Sequence, residues 1–485
     1  MNKKLLLFLL IPFLGFSQVQ IGQDIDGVFF NELSGTSVSL SASGNIIAIG
    51  SDYNDGNGIV RIFENTGHVW TQIGTDIDGD AQGDYSGNSV SLSADGSFVA
   101  IGAPGNDANG TYSGHVRIFE NISGVWTKVG SDINGVTAGD WCGISVSLSD
   151  NGNIVAVGAH SNDGNGTFSG HVRVFENISG TWTQIGNDIF GDSAGDMSGT
   201  SVSISSDGNV IAIGTPQNSG NLTKSGYVKV YKNVSGIWTQ IGSKIQGEGS
   251  GDKFGSSVSL SDNGNIVAIG APYNDANAIN SGRVKIYENI SNTWFQIGII
   301  DGISTNDENG NSVSLSGDGN IVVVGATQDI YGSQYTKKGY VRIFKNISGI
   351  WTQIGQTIQG EAIGDYSAKS VSISSDSSTL AIGAPYNNGN NASGHVRVYD
   401  ISGILSNNEF VSENFNIYPN PTSDVLNITL ENNLVLQELT IYNNLGQVVK
   451  TATESVIDVS HLAKGLYFVE VTTNQGKATK KVVVK

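Results

Sequence analysis

One cysteine, Cys142, stands among 485 residues. It has no partner for an internal disulfide and cannot build a cysteine-based zinc site, so stability has to come from packing and strand ladders. Charge is scarce too: 14% of the residues are Asp, Glu, Lys or Arg, against about 25% in an average globular chain. Basic residues are the scarcer half, 25 against 44 acids, for a formal net charge of −19. That balance excludes a protein that works by neutralising phosphates, and with it nucleic acid and anionic membrane surfaces as partners. Long apolar runs are missing beyond the N-terminus. No later segment approaches the roughly 18 consecutive apolar residues of a membrane span, so no transmembrane segment is expected in the mature chain.

What the chain has in quantity is glycine, 65 residues, set between short alternating runs of Val, Ile, Phe, Tyr and Trp. Disordered chains are depleted in those aromatic and β-branched types, so the composition is that of an all-β protein. The first residues read differently. Met1-Asn2-Lys3-Lys4 precedes an apolar run from Leu5 to Phe16, and Gly15 and Ser17 supply small residues near its end. Residues 1–18 are therefore expected to be a secretory signal peptide cleaved near Ser17.

Self-similarity organises the rest. The motif Ser-Val-Ser-(Leu/Ile)-Ser recurs with its valine at Val38, Val90, Val146, Val202, Val258, Val313 and Val371, and the first six copies are followed by a tryptophan at Trp70, Trp126, Trp182, Trp238, Trp294 and Trp351. Each unit reads as four strands, in the second Ser89 to Ser93, Phe98 to Gly102, His115 to Glu120 and Trp126 to Gly130. Four short antiparallel strands at this period are the signature of a β-propeller blade. The seventh unit has no tryptophan strand, yet Val19 to Gly27 matches Thr71 to Gly79 nearly residue for residue. The N-terminal strand is thus expected to complete the last blade of a seven-bladed propeller over residues 19–402, with Gln18 in the place of the tryptophan.

On these residues the repeats resemble the FG-GAP family of β-propellers, known from integrin α-subunits and many bacterial surface proteins. The resemblance is carried by Phe254-Gly255 with Ser257-Val258-Ser259, and by Gly-Ala-Pro at Gly102 to Pro104, Gly270 to Pro272 and Gly383 to Pro385. It brings in one ion, calcium, which family members hold in the loop between the first two strands through Asp-x-Asp-x-Asp-Gly. Here that loop is only Ser261 to Asn265 or its equivalents, so calcium is not expected in these loops, and the expectation is no cofactor, with calcium the one ion the resemblance leaves open.

After a polar linker at 403–414 the pattern changes, and residues 415–485 read as a small Ig-like β-sandwich with strands at Leu426 to Leu430, Leu439 to Tyr442, Gln447 to Thr451, Gly465 to Val471 and Ala478 to Val484. Tyr418-Pro419-Asn420-Pro421, Ile441 to Gly446, Leu462 to Tyr467 with Gly465 and Tyr467, and the ending Lys480-Lys481-Val482-Val483-Val484-Lys485 together resemble the C-terminal sorting domain of type IX secretion cargo in Bacteroidetes. The resemblance implies passage through the periplasm, the type IX machinery as a partner, and release or anchoring at the outer-membrane surface.

Propeller geometry puts the second-to-third-strand loops and the connections between blades on one face. Six positions before each anchor valine stands an acid: Glu32, Asp84, Asp140, Asp196, Asp252, Asp307 and Asp365. The other loops add Asp55, Asp107, Asp163 and Asp275. Seven equivalent acids read first as turn acceptors of backbone N–H groups; as a surface they would suit a cationic ligand. One position later the residues differ: Leu33, Tyr85, Trp141, Met197, Lys253, Glu308 and Tyr366. Five of them form an apolar arc over neighbouring blades, and such side chains either fill gaps between blades or stack on a ligand such as a sugar ring. Tyr85, Trp141, Tyr366, Leu33 and Met197, with Asp84, Asp140 and Asp365, are the candidate binding residues.

His115, His171 and His395 share one slot that holds Tyr227, Arg283 or Tyr340 in other units, and Asn121, Asn177, Asn233, Asn289 and Asn346 all open one turn; both sets read as structural. No nucleophile motif, metalloprotease motif or phosphate loop is present. The expectation is a non-catalytic surface binding or adhesion protein for an extracellular glycan or surface protein. A secreted glycan-active enzyme is the competing reading, with Asp140, beside Trp141 and Cys142, its best carboxylate.

Overall fold

The computed structural model describes the chain except residues 1–17, 54–55, 218–223, 329–337, 348, 388–391, 406–413, 432–433, 444–446 and 474–475. The signal peptide (but for Gln18), most of the linker, Asp55 and Gly446 lie outside the described residues. Two compact units are present, one ending at Ile401 and one beginning at Ser402.

The first unit is all-β and made of seven antiparallel sheets in chain order. In the second repeat the strands are Ser89–Leu92, Phe98–Ala103, His115–Ile122 and Val125–Lys128, with a two-residue strand Ile133–Asn134 rejoining the third. That short fifth strand is absent from the sequence reading. Gly130, at φ +70, breaks the outer strand and lets the chain step back onto the sheet. In the fifth repeat the two pieces run on as Thr293–Asp301.

Second strands such as Ile266–Ala271 are buried along nearly their whole length. A strand covered on both faces reads as a continuous apolar run. Its alternation is one of size instead: Val99 and Ile101 pack toward the preceding sheet, while the small Ala100 faces the following one. The core of this unit therefore lies between sheets.

The first two serines of the repeated motif work across those junctions. Leu92 N donates to Ser39 Oγ at 3.0 Å and Leu148 N to Ser91 Oγ at 2.9 Å, and the series runs on through Ile204, Leu260, Leu315 and Ile373 until Leu40 N donates to Ser372 Oγ at 3.1 Å. The first serine makes a second cycle, from Ser37 Oγ to Gly87 O at 2.7 Å round to Ser370 Oγ to Gly35 O at 2.8 Å. No single sheet closes on itself, yet these bonds pass through all seven and return.

The chain's start completes its last sheet. Val19–Gln20 and Ile25–Asp26 pair antiparallel with His395–Asp400, with Gln20 opposite Tyr399 and Asp26 opposite His395. Ile21 and Ile25 are buried among Val38, Ile49, Val396 and Val398. Five of the six tryptophans tie their outer strand to the one before it: Trp126 Nε1 donates to Ile73 O at 3.0 Å, as Trp70, Trp182, Trp238 and Trp294 do at their own junctions. At the seventh, Gln18 Nε2 donates to Gln356 O at 2.7 Å in their stead.

The second unit is two sheets around one core. Phe415–Tyr418, Val425–Leu430 and Val456–Asp458 make the smaller, and Val448–Ala452, Leu436–Tyr442, Gly465–Thr473 and Gly476–Val484 the larger. Phe415, Leu426, Ile428, Leu439, Ile441, Val469, Val471 and Val482 fill the space between them.

Candidate ligand face

The loops that carry the candidate residues are stitched together at one end of the first unit. Backbone N–H groups of the second-to-third-strand loops, at Gly105, Ser161, Gln217, Tyr273, Gln328 and Tyr386, donate to the carbonyls of Asp84, Asp140, Asp196, Asp252, Asp307 and Asp365. Asp107 Oδ1 accepts from Tyr112 N at 2.8 Å and Asp163 Oδ1 from Phe168 N at 2.7 Å, folding the tip of each loop.

The seven repeated acids are all buried. Asp140 accepts from Val136 N, Thr137 N and Thr137 Oγ1 at 2.8 Å each and from Asn162 Nδ2 at 3.0 Å. Asp84 takes Asp80 N, Ala81 N and Asn106 Nδ2, and Asp365 takes Ala362 N. Elsewhere Tyr227 or Tyr340 supplies a hydroxyl, and Glu32 is paired with Arg61. A carboxylate in this position has its lone pairs taken up by its own loop and by the strands and loops packed against it. These side chains hold the loop that presents their neighbours.

Those neighbours share a backbone conformation that non-glycine residues seldom adopt. Leu33, Tyr85, Trp141, Met197, Lys253, Glu308 and Tyr366 have φ between +53 and +59. Because the fold imposes the strain in all seven sheets, side-chain identity is what varies. Leu33, Tyr85, Trp141, Met197 and Tyr366 are half-buried and Glu308 is buried. They lean on the loop of the strand pair that follows them. Tyr366 meets Tyr386 with ring centroids 4.9 Å apart, and Lys253 lies 4.2 Å over the Tyr273 ring. Tyr85 covers Gly105, where an added Cβ would meet its ring at 2.6 Å.

Trp141 is the centre of the best-developed cluster. Tyr112 stacks on it at 5.5 Å with an interplanar angle of 24°, and His160 meets it edge-on at 5.9 Å. Tyr112 is 43% exposed. Burial holds the His160 imidazole neutral, its pKa lowered from 6.5 to about 4. Cys142, one residue on, is sealed off, and burial pushes its thiol up to about 11 against the opposing pull of Arg173. Its slot holds serine in four other repeats, at Ser34, Ser86, Ser198 and Ser367.

Tyr112 and Phe168, both exposed and both at positive φ, are the face residues that the sequence reading passes over. Their signal is present: Thr111-Tyr112-Ser113-Gly114 and Thr167-Phe168-Ser169-Gly170 stand directly before two of the slot histidines. Those histidines differ in structure. His171 Nδ1 faces Asp188 Oδ2 at 3.3 Å, whereas His395 and His115 each lie beside two aspartates. Burial lowers the pKa of His395, against the opposing field of Asp24. The Asn turns are closed by their own side chains: Gly124 N, Gly180 N, Gly236 N and Gly349 N donate to the side-chain oxygens of Asn121, Asn177, Asn233 and Asn346.

In the second unit the sorting-motif residues come together. Asn420 Nδ2 donates to Lys481 O at 2.8 Å and its Oδ1 accepts from Val483 N at 3.0 Å, so Tyr418 to Pro421 is pinned to the last strand. Lys480 Nζ lies 4.5 Å over the Phe415 ring, and Tyr467 OH donates to Ala463 O at 2.8 Å. Gly465 begins the strand that carries Tyr467.

Comparison with known proteins agrees with this division. Residues 416–485 match the family described as secretion system C-terminal sorting domain, and residues 70–119 and 246–287 match the FG-GAP repeat. The chain therefore carries FG-GAP repeats and a C-terminal type IX sorting domain, and it is exported to the cell surface or the extracellular space. Beta-agarase D of Zobellia galactanivorans is 37% identical over 75 residues, which cover 15% of each protein. Among solved structures, that of U3-55K superposes with a TM-score of 0.50 at 12% identity, covering 78% of this chain and 98% of that one, a likeness of fold alone. Among the described residues no helix is long and apolar enough to cross a membrane.

Proposed function

We propose that the seven sheets are the blades of a seven-bladed β-propeller and that its loop face binds an extracellular glycan without chemically altering it. The observation that carries this reading is the platform of Tyr112, Trp141 and His160, a partly exposed aromatic surface held by a rigid loop. Sugar rings offer apolar C–H faces to such a surface and hydroxyls to polar groups around it. Exposed Asp107 and Asp163 flank the platform, and exposed Phe168 and half-buried Tyr85 and Met197 extend it over the neighbouring repeats. Tyr366, Leu33 and Tyr386 belong to the same face. The buried acids Asp84, Asp140 and Asp365 serve it by shaping the loops. A fully satisfied Asp140 supports binding over acid–base catalysis.

A glycan array probed with the purified full chain tests the proposal. The wild type is expected to retain a defined set of glycans, and Trp141→Ala to lose about tenfold or more in affinity for them, the order of a lost aromatic stack. Binding unchanged in Trp141→Ala would place the site elsewhere. Cleavage of a retained glycan would replace the binding reading with the enzymatic one.

A further inference from the structure

In six of the seven sheets the third and fourth strands are joined by a tight turn. In the seventh they are the two ends of the unit, joined by no covalent link, and the outer strand has Gln18 where the others have tryptophan. A cluster of potential ligands sits on this seam. Asp24 and Asp26 arrive on the N-terminal segment, and His395 lies on the strand opposite, paired directly with Asp26. One donor atom from each of the three lies within 4.8 Å of the others.

His395 is 1% exposed, and its imidazole makes no hydrogen bond among the described residues, Nε2 being buried without a partner. Its Nδ1 points at Asp24 Oδ2, 3.6 Å away, and Glu361 Oε2, 3.9 Å away. Both distances are too long for a hydrogen bond. The nearer one resembles the spacing of two donors across one ion, since with metal–donor bonds of about 2.0–2.2 Å tetrahedral ligands stand roughly 3.3–3.6 Å apart, and Glu361 lies just beyond that range.

The equivalent slots show what happens when the set is incomplete. In the third sheet Phe190 takes the place of Asp26 and its ring centroid lies 5.7 Å from that of His171, leaving one carboxylate, Asp188. In the second, Asn134 takes that place, and Asp80, the counterpart of Glu361, is held by Arg117 Nη1 at 2.7 Å. In the seventh, Arg397 keeps the bonds that Arg117 makes to the equivalent groups, here Gln359 O at 2.9 Å and Ser367 Oγ at 3.4 Å, but among the described residues it forms no ion pair with the carboxylates.

We propose that Asp24, Asp26 and His395, with Glu361 on the open side, bind a divalent transition-metal ion that clips the N-terminal segment to the last strand of the ring. Zinc best suits one imidazole combined with carboxylates. Such an ion would cross-link the seam where the other sheets have a covalent turn, and because it binds only the closed form it would stabilise the ring by mass action.

The test uses the untagged full chain, stripped with EDTA and titrated with zinc, manganese or calcium chloride by calorimetry and thermal unfolding. One equivalent of zinc is expected to bind and to raise Tm by about 2 °C or more. His395→Gln and Asp26→Asn are each expected to lose that equivalent and the shift, while His115→Gln keeps both. Asp26 is exposed, so Asp26→Asn remains decisive if His395→Gln fails to fold. No zinc-dependent shift in the wild type, a shift retained in Asp26→Asn, or a response to calcium alone would each overturn the proposal.

Discussion

A tryptophan, a histidine and a cysteine within 19 residues of one another have three different environments, and only one of them was readable in advance. Cys142 was legible as unpaired, but its inertness comes from a wholly buried slot that the chain's linear order does not reveal. The seven acids were legible as a repeat; that their oxygens face inward follows from N–H groups three and four residues back, as Val136 N and Thr137 N serve Asp140. His160 was not legible at all, because its neighbours come from two other loops. Its depressed pKa makes it a pH-linked residue. Between about pH 6.5 and about pH 4 the unfolded chain takes up a proton that the folded chain excludes, so this contribution to stability is full above the upper value and is lost as pH falls toward the lower. His160→Asn should therefore show a smaller fall in Tm between about pH 7 and about pH 4.5 than the wild type, measured by differential scanning calorimetry. Equal falls in the two proteins would mean that His160 titrates normally.

Elements were read well where a pattern spans several residues and poorly where two residues decide. Four strands per repeat follow from period-two alternation and glycine-rich turns. The rejoining pieces such as Ile133–Asn134 are too short to show a period, and whether they fuse with the outer strand depends on a local bulge. Fusion has a cost at one junction. Five tryptophans donate their indole N–H to the preceding outer strand, but beside the fused strand Thr293–Asp301 the Nε1 of Trp351 is buried with no partner among the described residues. Replacing the indole by a phenyl ring at both sites, with the same loss of volume, separates the two cases. Trp126→Phe should destabilise by about 1–2 kcal/mol through the lost hydrogen bond and some lost packing. Trp351→Phe should cost less, since removing an unsatisfied buried donor offsets part of the packing loss. Chemical denaturation midpoints compare them directly, and an equal or larger cost at Trp351 would show that its indole has found a partner, such as water.

At the scale of the whole molecule, the sequence shows seven copies of the serine motif and a stray match at the start, and the structure gives both a physical purpose. Each serine pair transfers hydrogen bonds to the next sheet, so a unit at either end would leave its bonds unmade unless the series returned to its beginning. The N-terminal segment reinforces that return beside the serine bonds. It covers the edge of His395–Asp400 and buries Ile21 and Ile25 against residues from both ends of the ring. At about 1.5–3 kcal/mol for each fully buried side chain, those two isoleucines alone contribute at least about 3 kcal/mol. Deleting residues 19–27 should thus lower Tm by several degrees in EDTA and expose an unpaired strand edge that promotes association between copies. An edge of this kind accepts a strand in trans. A synthetic peptide of residues 18–27 should restore both Tm and the elution volume of the full chain in size-exclusion chromatography, whereas the same peptide with Ile21 and Ile25 changed to serine should restore neither. A deletion variant as stable as the full chain would mean that the ring is held by its serine cycles alone, and that the seam joining the chain's two ends is incidental to the fold.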